Sequence, residues 1–181
     1  MSQRDDVLVW VDLEMTGLEP DSCAIVQAAL VLTDYEFNEI GRPIEMTIWQ
    51  PESVLETMSP FVRAMHEKSG LLDQIRRSEI DLRDAELQLM EVLTSHVTFR
   101  KGKLAGNSIW QDRRFIHAFM PSLDSYLHYR MVDVSSIKDL AEAWYGVRYE
   151  KEKEGAHTAL FDIRQSIEEL KYLRTHMMRG P

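Results

Sequence analysis

The first strand-like segment, residues 7–15 (VLVWVDLEM), constrains the fold more than any other part of the chain. It is apolar on both faces until Asp12 and Glu14 arrive near its C-terminal end, a pattern typical of a strand in the interior of a sheet. Because successive side chains of a strand point to opposite faces, Asp12 and Glu14 share the face of Trp10. The sequence therefore predicts a buried strand that ends in two neighbouring carboxylates.

Two carboxylates at the end of a buried strand repel each other and lose solvation. Unless a positive charge lies between them, one of the two tends to stay protonated. A bound divalent metal ion would remove that cost. From this segment alone a second interpretation stays open, in which the strand reaches the surface at Asp12 and both acids are solvated.

The order of the remaining segments predicts the fold class. Strand-like segments at residues 7–13, 25–33 and 44–49 are separated by turn signals, which predicts an antiparallel meander. After the meander come helices beginning at Pro60 and spanning residues 82–96, short strands at 104–106 and 131–134, and helices at 112–120, 135–145 and 158–177. This order predicts an α/β fold, in which a mixed sheet of the meander plus parallel strands carries helices on both faces.

Composition limits the class of protein. The chain has 181 residues, 44% of them hydrophobic, which fits one domain spanning residues 1–181. The single Cys23 excludes an intrachain disulfide, and the polar, acidic N-terminus is unlike a signal peptide, so a cytoplasmic location is expected. The apolar run at residues 24–32 is far shorter than the ~20 residues of a membrane helix, and we expect no membrane association.

The net charge is a further restriction. With 30 acidic and 21 basic residues, the formal net charge is −9. A protein that holds long nucleic acid by its phosphates is expected to carry the opposite balance. Taken alone, the composition therefore argues against a nucleic-acid partner.

Two further acids and a histidine are candidates for a site. Asp112 follows a turn after a short strand, and Asp162 lies near the start of the last helix, five residues after His157. Taken singly, each acid is more simply explained as a helix-start residue favoured by the macrodipole. Five helical steps of about 100° leave His157 and Asp162 about 140° apart, so His157 must precede the helix if the two act together.

The ordered motifs resemble those of the DEDDh exonucleases. They are Asp-x-Glu on the first strand, an Asp about one hundred residues later, and a C-terminal His-x4-Asp. The segments VDLEMTGL, AGNSIWQDRRF, HYRMVDVSS and HTALFDIRQSIEEL look like the oligoribonuclease branch specifically, and the likeness extends over essentially the whole chain. The resemblance implies a ribonuclease H-like fold and disfavours the interpretation of solvated acids.

The resemblance also implies a reaction, the 3′-to-5′ hydrolysis of very short RNA, dinucleotides above all, to 5′-mononucleotides. Two divalent cations, Mg²⁺ or Mn²⁺, would assist this reaction, since hard cations suit an all-oxygen site. The positions that match the family's metal ligands are Asp12, Glu14, Asp112 and Asp162. His157 matches the general base that takes the proton from the attacking water.

Several positions match residues that bind substrate in the family. Ser108, Arg130 and Ser135 match positions that cap the 5′ phosphate, a role suited to a guanidinium with flanking hydroxyls. Tyr129 and His66 match positions that reach the site from the second subunit of a homodimer. The resemblance therefore implies a homodimer whose substrates are short RNA oligonucleotides.

Leu18 matches a residue that wedges against the bases at the 3′ end, where an apolar side chain can stack without reading sequence. A turn residue that packs on the sheet is an equally good interpretation of Leu18 from the sequence alone.

Four positions depart from the usual pattern of the family, and they are Gln27, Phe61, Trp110 and Phe161. We expect Gln27 and Phe161 to affect hydrogen bonding and charge near the metals.

Two other functions stay open. A proofreading or tRNA-trimming exonuclease would act on longer DNA or RNA, but the segment HYRMVDVSS and the lack of a basic tract favour short RNA. A non-catalytic binding module would be expected to lose one of the five catalytic positions, and all five are present.

If the protein is such an exonuclease, its acidic surface limits substrate length. The surface would repel long RNA, while two divalent cations would attract phosphate locally.

Overall fold

In a computed structural model, which describes residues 2–150 and 158–177, a five-stranded sheet lies between two layers of helices. The strands are β1 (Leu8–Met15), β2 (Ile25–Thr33), β3 (Ile44–Thr47), β4 (Lys103–Gly106) and β5 (Met131–Asp133). The helices are α1 (Glu52–Leu55), α2 (Pro60–Ser69), α3 (Leu71–Arg77), α4 (Leu82–His96), α5 (Ile109–Phe119), α6 (Pro121–Tyr126), α7 (Val134–Tyr145) and α8 (Ala159–Met177).

The sheet is mixed, with the strand order β3-β2-β1-β4-β5. β1, β2 and β3 pair antiparallel, whereas β4 pairs parallel with β1 and β5 pairs parallel with β4. The prediction of an antiparallel meander extended by parallel strands is confirmed. Of the described helices, none has a stretch long and apolar enough to cross a membrane.

Several predicted boundaries differ from the structure. β3 ends at Thr47 rather than at residue 49, and Val134, predicted as the end of a strand, begins α7. β1 continues to Met15, the end of the segment VLVWVDLEM and two residues beyond the strand-like run at 7–13, because β2 pairs with it as far as Ile25. α5 begins at Ile109 rather than Asp112. The short helices α1, α3 and α6 are absent from the prediction, since 4 to 7 residues are too few to show a helical apolar stripe. Pro121, which directly follows the predicted helix at 112–120, begins α6 as its first residue.

Alternate residues of β1 enter two separate hydrophobic cores. Val9 and Val11 point to the face on which α4, α5 and α6 pack. Trp10 is fully buried on the opposite face, under α7 and α8. Asp12 and Glu14 continue the same alternation, and therefore lie on the face of Trp10, where α8 covers the sheet.

α8 packs on this face through an apolar stripe at helical spacing. Ile163, Ile167, Leu170 and Leu173 are buried in the core, and Leu160 is partly buried at its edge. Asp162 lies in the first turn of this helix. The packing of the stripe therefore sets where Asp162 stands relative to β1.

The other edge of β1 is open to side chains beyond the end of β4. β4 pairs with β1 from Leu8 to Trp10, and the chain then leaves the sheet at Gly106. A Cβ on Gly106 would lie 3.1 Å from the carbonyl oxygen of Val11 and 2.9 Å from a side-chain carbon of Ile109. The turn into α5 therefore passes too close to β1 for a larger residue, and α5 begins directly beside the strand end.

Candidate active site

Asp12 and Glu14 of β1 and Asp162 of α8 form an acidic cluster. One carboxylate oxygen of each residue lies within 4.8 Å of the corresponding oxygens of the other two. Strand alternation places the first two on one face, and the packing of α8 brings the third against it. The structure thus brings together three residues that the sequence predicts as metal ligands.

Asp112, the fourth predicted ligand, approaches the strand end from α5. It is 7% exposed, and its Oδ1 accepts a hydrogen bond of 3.0 Å from the backbone N–H of Leu13. Leu13 lies between Asp12 and Glu14 and beyond the end of β4, where the pairing with that strand has stopped. Asp112 therefore satisfies a main-chain donor of β1 and holds a fourth carboxylate next to the cluster.

The electrostatics of the cluster oppose its own ionisation. Burial raises the pKa of Glu14 to about 7, and the charges of Asp162 and Asp112 add to that effect. Burial likewise raises the pKa of Asp112 to about 7, against the opposing effect of the hydrogen bond from Leu13. A divalent cation would remove the repulsion and takes carboxylate oxygens as its preferred ligands. These residues therefore fit a divalent metal ion.

The start of α8 is fixed by side chains that cap its first amides. The N–H of Ala159 donates to Oε1 of Gln27 at 3.0 Å, and the N–H of Leu160 donates to Oε1 of Glu45 at 2.8 Å. Because Gln27 lies in β2 and Glu45 in β3, both bonds tie the helix to the sheet. They fix the first turn of α8, which carries Asp162, without using Asp162 itself.

The sequence did not identify Gln27 and Glu45 as capping residues. Gln27 is a departure from the family pattern, and its bond to Ala159 agrees with the expectation that it affects hydrogen bonding near the site. The sequence does show one sign of a special role, which is that Gln27 is a polar residue within an apolar run. The structure buries that whole strand. A buried polar group needs a partner, but the sequence does not name one that lies 132 residues away.

Ser108 and Ser135 lie side by side, one after each of two adjacent parallel strands. Their hydroxyl oxygens are 3.2 Å apart, and the backbone N–H of Ser108 lies 2.9 Å from Oγ of Ser135 and 3.0 Å from Oδ1 of Asp133. Since β4 and β5 run parallel, the residues that follow them meet at one edge of the sheet. The topology therefore brings together two of the predicted phosphate contacts.

Arg130 and Tyr129 precede β5 and form an exposed pair. Nε of Arg130 donates to the Tyr129 hydroxyl at 3.0 Å, and the guanidinium carbon lies 5.4 Å from the centroid of the ring. Tyr129 is 75% exposed and stacks on the ring of His128 at a centroid distance of 4.5 Å. The pair therefore lies at the opposite end of β5 from Ser135, on the surface of the protein.

His66 is buried within its own chain, where it is 1% exposed. The resemblance implies that it reaches the site of a second subunit, and this role stays a prediction. Nε2 of His66 lies 3.0 Å from the carbonyl oxygen of Met15, the last residue of β1. Through this contact His66 supports the strand end that carries Glu14.

Leu18 lies in the loop after β1 and is 67% exposed. The side chains of Gln111 and Arg114 both donate to its backbone carbonyl oxygen, which attaches this loop to α5. The guanidinium carbon of Arg114 lies 5.9 Å from the ring centroid of Trp110, which is also exposed. The interpretation of Leu18 as a side chain packed on the sheet is therefore wrong.

His157, the predicted general base, lies outside the described residues. Of the four departures from the family pattern, Phe61 is 78% exposed on α2, and Phe161 is partly buried in the first turn of α8.

Comparisons with known proteins agree with this fold and site. The family model described as RNase_T, an exonuclease, matches residues 9–170.

Solved structures share the fold. The zinc-bound form of Escherichia coli exonuclease I in complex with single-stranded DNA superposes on this chain with a TM-score of 0.76 at 18% identity, over 95% of this chain and 41% of that chain. Exonuclease I from Methylocaldum szegediense has a TM-score of 0.71 at 18% identity, over 94% and 41%. This chain thus spans about two-fifths of those proteins, and the likeness confirms the ribonuclease H-like fold. The fold, the acidic cluster and the family match define a nuclease of the exonuclease class.

Relatives of similar length specify the family. Oligoribonuclease from Aromatoleum aromaticum is 44% identical over 99% of this chain and 98% of that protein. The oligoribonucleases of Francisella tularensis and Thiobacillus denitrificans are 43% and 42% identical, over 97% and 96% of this chain. The chain belongs to the oligoribonuclease family.

Proposed function

We propose that this protein is a 3′-to-5′ exoribonuclease that hydrolyses very short RNA, dinucleotides above all, to 5′-mononucleotides. The observation that carries the proposal is the convergence of the carboxylates of Asp12, Glu14 and Asp162 within 4.8 Å at the end of β1. Similarity to oligoribonucleases over nearly the full length supports RNA as the substrate. The net charge of −9 supports short substrates, since an acidic surface repels a long polyanion.

The acidic residues would hold two divalent cations, Mg²⁺ or Mn²⁺. The ligands in this proposal are Asp12, Glu14, Asp112 and Asp162. When bound, such cations supply an activated water, charge stabilisation on the phosphoryl oxygens and help for the leaving alkoxide. The protein contributes preorganisation, because capping of α8 fixes Asp162 and the amide of Leu13 fixes Asp112 before any ligand arrives.

His157 would act as the general base and take the proton from the attacking water. An imidazole with an ordinary pKa of about 6.5 suits proton transfer near neutral pH. This role rests on the family resemblance and on the position of His157 five residues before Asp162. A carboxylate that binds a metal ion is a poor proton acceptor, so the four metal ligands would not take the proton from the water.

The substrate contacts in this proposal surround the acidic cluster. The hydroxyl pair of Ser108 and Ser135 would bind the 5′ phosphate of a dinucleotide, as hydroxyls suit a phosphate dianion. Arg130 is a third contact implied by the family resemblance, and within its own chain it lies beside Tyr129 at the other end of β5. Leu18 would stack on the base at the 3′ end, for which its exposed side chain and fixed backbone are suited.

We further propose a homodimer in which Tyr129 contributes to the partner's site. The exposure of the Tyr129 ring supports this role. The resemblance implies the same role for His66, which lies against the last residue of β1 in its own chain. Light scattering at micromolar concentration tests the assembly. A monomer under those conditions would remove the dimer from the proposal without affecting the hydrolytic site.

A length series of 5′-labelled RNA, from two to about ten nucleotides, tests the activity with Mg²⁺ or Mn²⁺. We expect the dinucleotide to be hydrolysed fastest. Equal rates at all lengths would favour an exonuclease that acts on longer RNA or DNA. The matched control is Asp12→Ala, purified in the same way, which should show no hydrolysis above background and so excludes a contaminating nuclease.

A further inference from the structure

A buried carboxylate that the proposed chemistry does not use lies behind the serine pair. Glu169 is on α8 and is 1% exposed. Its Oε2 accepts a hydrogen bond of 2.9 Å from Nδ2 of Asn107, and its Oε1 lies 3.5 Å from Nζ of Lys138. Asn107 directly precedes Ser108, so the contact joins α8 to the turn that carries the predicted phosphate contacts.

The carboxylate determines which way the Asn107 amide points. An ionised carboxylate only accepts hydrogen bonds, so Asn107 has to turn its NH₂ group towards Glu169. The same nitrogen lies 2.9 Å from Oγ of Ser166, which in turn donates to the carbonyl oxygen of Asp162 at 2.9 Å. With Nδ2 held by α8, the carbonyl Oδ1 of Asn107 has to face the other way, towards β5.

The orientation of Asn107 fixes the proton of Ser135. Oγ of Ser135 donates to Oδ1 of Asn107 at 3.0 Å, which uses the only proton of this hydroxyl. The oxygen of Ser135 is then an acceptor, for the backbone N–H of Ser108 at 2.9 Å and for the Ser108 hydroxyl at 3.2 Å. Of the two hydroxyl protons, that of Ser135 is held by Asn107, and that of Ser108 can turn from Ser135 to an oxygen of a bound phosphate.

We propose that Glu169 is a positioning residue for recognition of the 5′ phosphate. Through Asn107 it keeps the hydroxyl proton of Ser135 turned away from the ligand, which leaves the Ser108 hydroxyl as the donor to the phosphate. The inference rests on the proposed function, because it requires that the serine pair binds the 5′ phosphate of the substrate. It assigns the donor role to Ser108 and a supporting role to Ser135.

Steady-state kinetics on two dinucleotides, one with a 5′ phosphate and one with a 5′ hydroxyl, test this role. In Glu169→Gln, the new amide can donate to Asn107 as well as accept from it, so the orientation of the Asn107 amide depends on Ser166 alone and is held less firmly. We expect the preference for the 5′-phosphorylated dinucleotide, expressed as a ratio of kcat/KM values, to fall by about tenfold. The loss should lie in KM for the phosphorylated substrate, with kcat and the unphosphorylated substrate nearly unchanged.

Matched variants make the outcome specific. Glu168→Gln changes the neighbouring exposed carboxylate, which pairs with Lys171, and should keep the full preference. Ser108→Ala should lose the preference directly. If Glu169→Gln fails to fold, Asn107→Ala breaks the same chain of hydrogen bonds one step later and should show the same selective loss.

The results separate failure of the inference from failure of the proposed function. If the unmodified enzyme hydrolyses both dinucleotides equally well, the proposed phosphate site fails and the inference fails with it. If that enzyme prefers the phosphorylated substrate and both folded variants keep the preference, the role of Glu169 alone is overturned. An equal loss on both substrates in a folded variant also overturns it, since a general structural defect does not distinguish them.

Discussion

Gln27 in β2 accepts a hydrogen bond of 3.0 Å from the backbone N–H of Ala159, the first residue of α8. In the register of the sheet, Gln27 is also the cross-strand partner of Glu14. Its Nε2 lies 3.4 Å from Oγ1 of Thr47, so both ends of the amide have partners. One buried side chain therefore links the strand that carries Glu14 to the helix that carries Asp162.

Gln27→Ala should weaken both folding and metal binding. Loss of a helix N-cap interaction costs about 0.5–2 kcal/mol, and a loosened first turn no longer holds Asp162 in place. We expect a lower free energy of unfolding in urea and a weaker affinity for Mn²⁺ by titration calorimetry. Gln27→Glu is the matched control, since it keeps the acceptor for Ala159 and should retain the affinity. Unchanged Mn²⁺ affinity in Gln27→Ala would show that this anchor is dispensable for the site.

The raised pKa values predict how stability depends on pH without metal. Glu14 and Asp112 have pKa values of about 7 in the folded protein, against ordinary values of 4.5 and 3.8. Between about pH 4 and 7 the folded state therefore binds more protons than the unfolded state. Since stability falls with pH wherever the folded state holds more protons, the contribution of these two acids is complete below about pH 4 and lost above about pH 7.

Divalent metal should reverse this trend, because the ligands bind it in their ionised form. Urea unfolding at several values between pH 5 and 8, with EDTA or with Mn²⁺, measures both effects. We expect the stabilisation by Mn²⁺ to grow as the pH rises through this window. A stabilisation that is equally large at pH 5 and pH 8 would contradict the assignment of these acids to the metal site.

Asp112→Asn should stabilise the metal-free protein at pH 8 while weakening Mn²⁺ binding. The amide oxygen can still accept the hydrogen bond from Leu13, but the buried negative charge is gone. We expect a gain of roughly 1 kcal/mol or more in the free energy of unfolding. In Asp112→Ala the amide of Leu13 loses its acceptor, which costs about 1–3 kcal/mol. If both variants lose stability equally, the buried charge of Asp112 does not destabilise the metal-free protein.

Local patterns predict the strands and the placement of two acids. Alternation along β1 is sufficient to place Asp12 and Glu14 on one face, whereas the family resemblance implies that Asp162 joins them. The local patterns depend on residues that are close in the sequence, where the periods of strand and helix decide which way a side chain points.

Contacts between distant residues are what the sequence could not provide. Gln27 and Ala159 are 132 positions apart, and Asn107 and Glu169 are 62 apart. A buried polar residue requires a partner, but many partners are compatible with the same pattern. The burial of His66 was missed for the same reason, since its helix shows no long apolar stripe and only the packing against β1 decides its exposure.

His157→Ala should lower kcat by at least about 100-fold without changing the affinity for Mn²⁺. Loss of a general base typically costs a factor of about 10² to 10⁴, whereas the four carboxylates remain in place. Calorimetry with Mn²⁺ and kinetics on a dinucleotide measure the two effects separately. His117→Ala, an exposed position on α5 that pairs with Asp124, is the control and should keep full activity. Near-normal turnover in His157→Ala would eliminate the histidine as the base.

Leu18→Ala should impair substrate binding and leave the fold unchanged. Because the side chain is 67% exposed, truncation is expected to alter stability by less than about 0.5 kcal/mol. The bonds from Gln111 and Arg114 reach the backbone of Leu18, so they persist in the variant. Stacking on a base is worth about 1–3 kcal/mol, so KM for a dinucleotide should rise about 5-fold or more. Leu87→Ala, at an exposed leucine of α4, is the matched control. If the two variants have the same KM, Leu18 does not contact the substrate and its exposure has another cause.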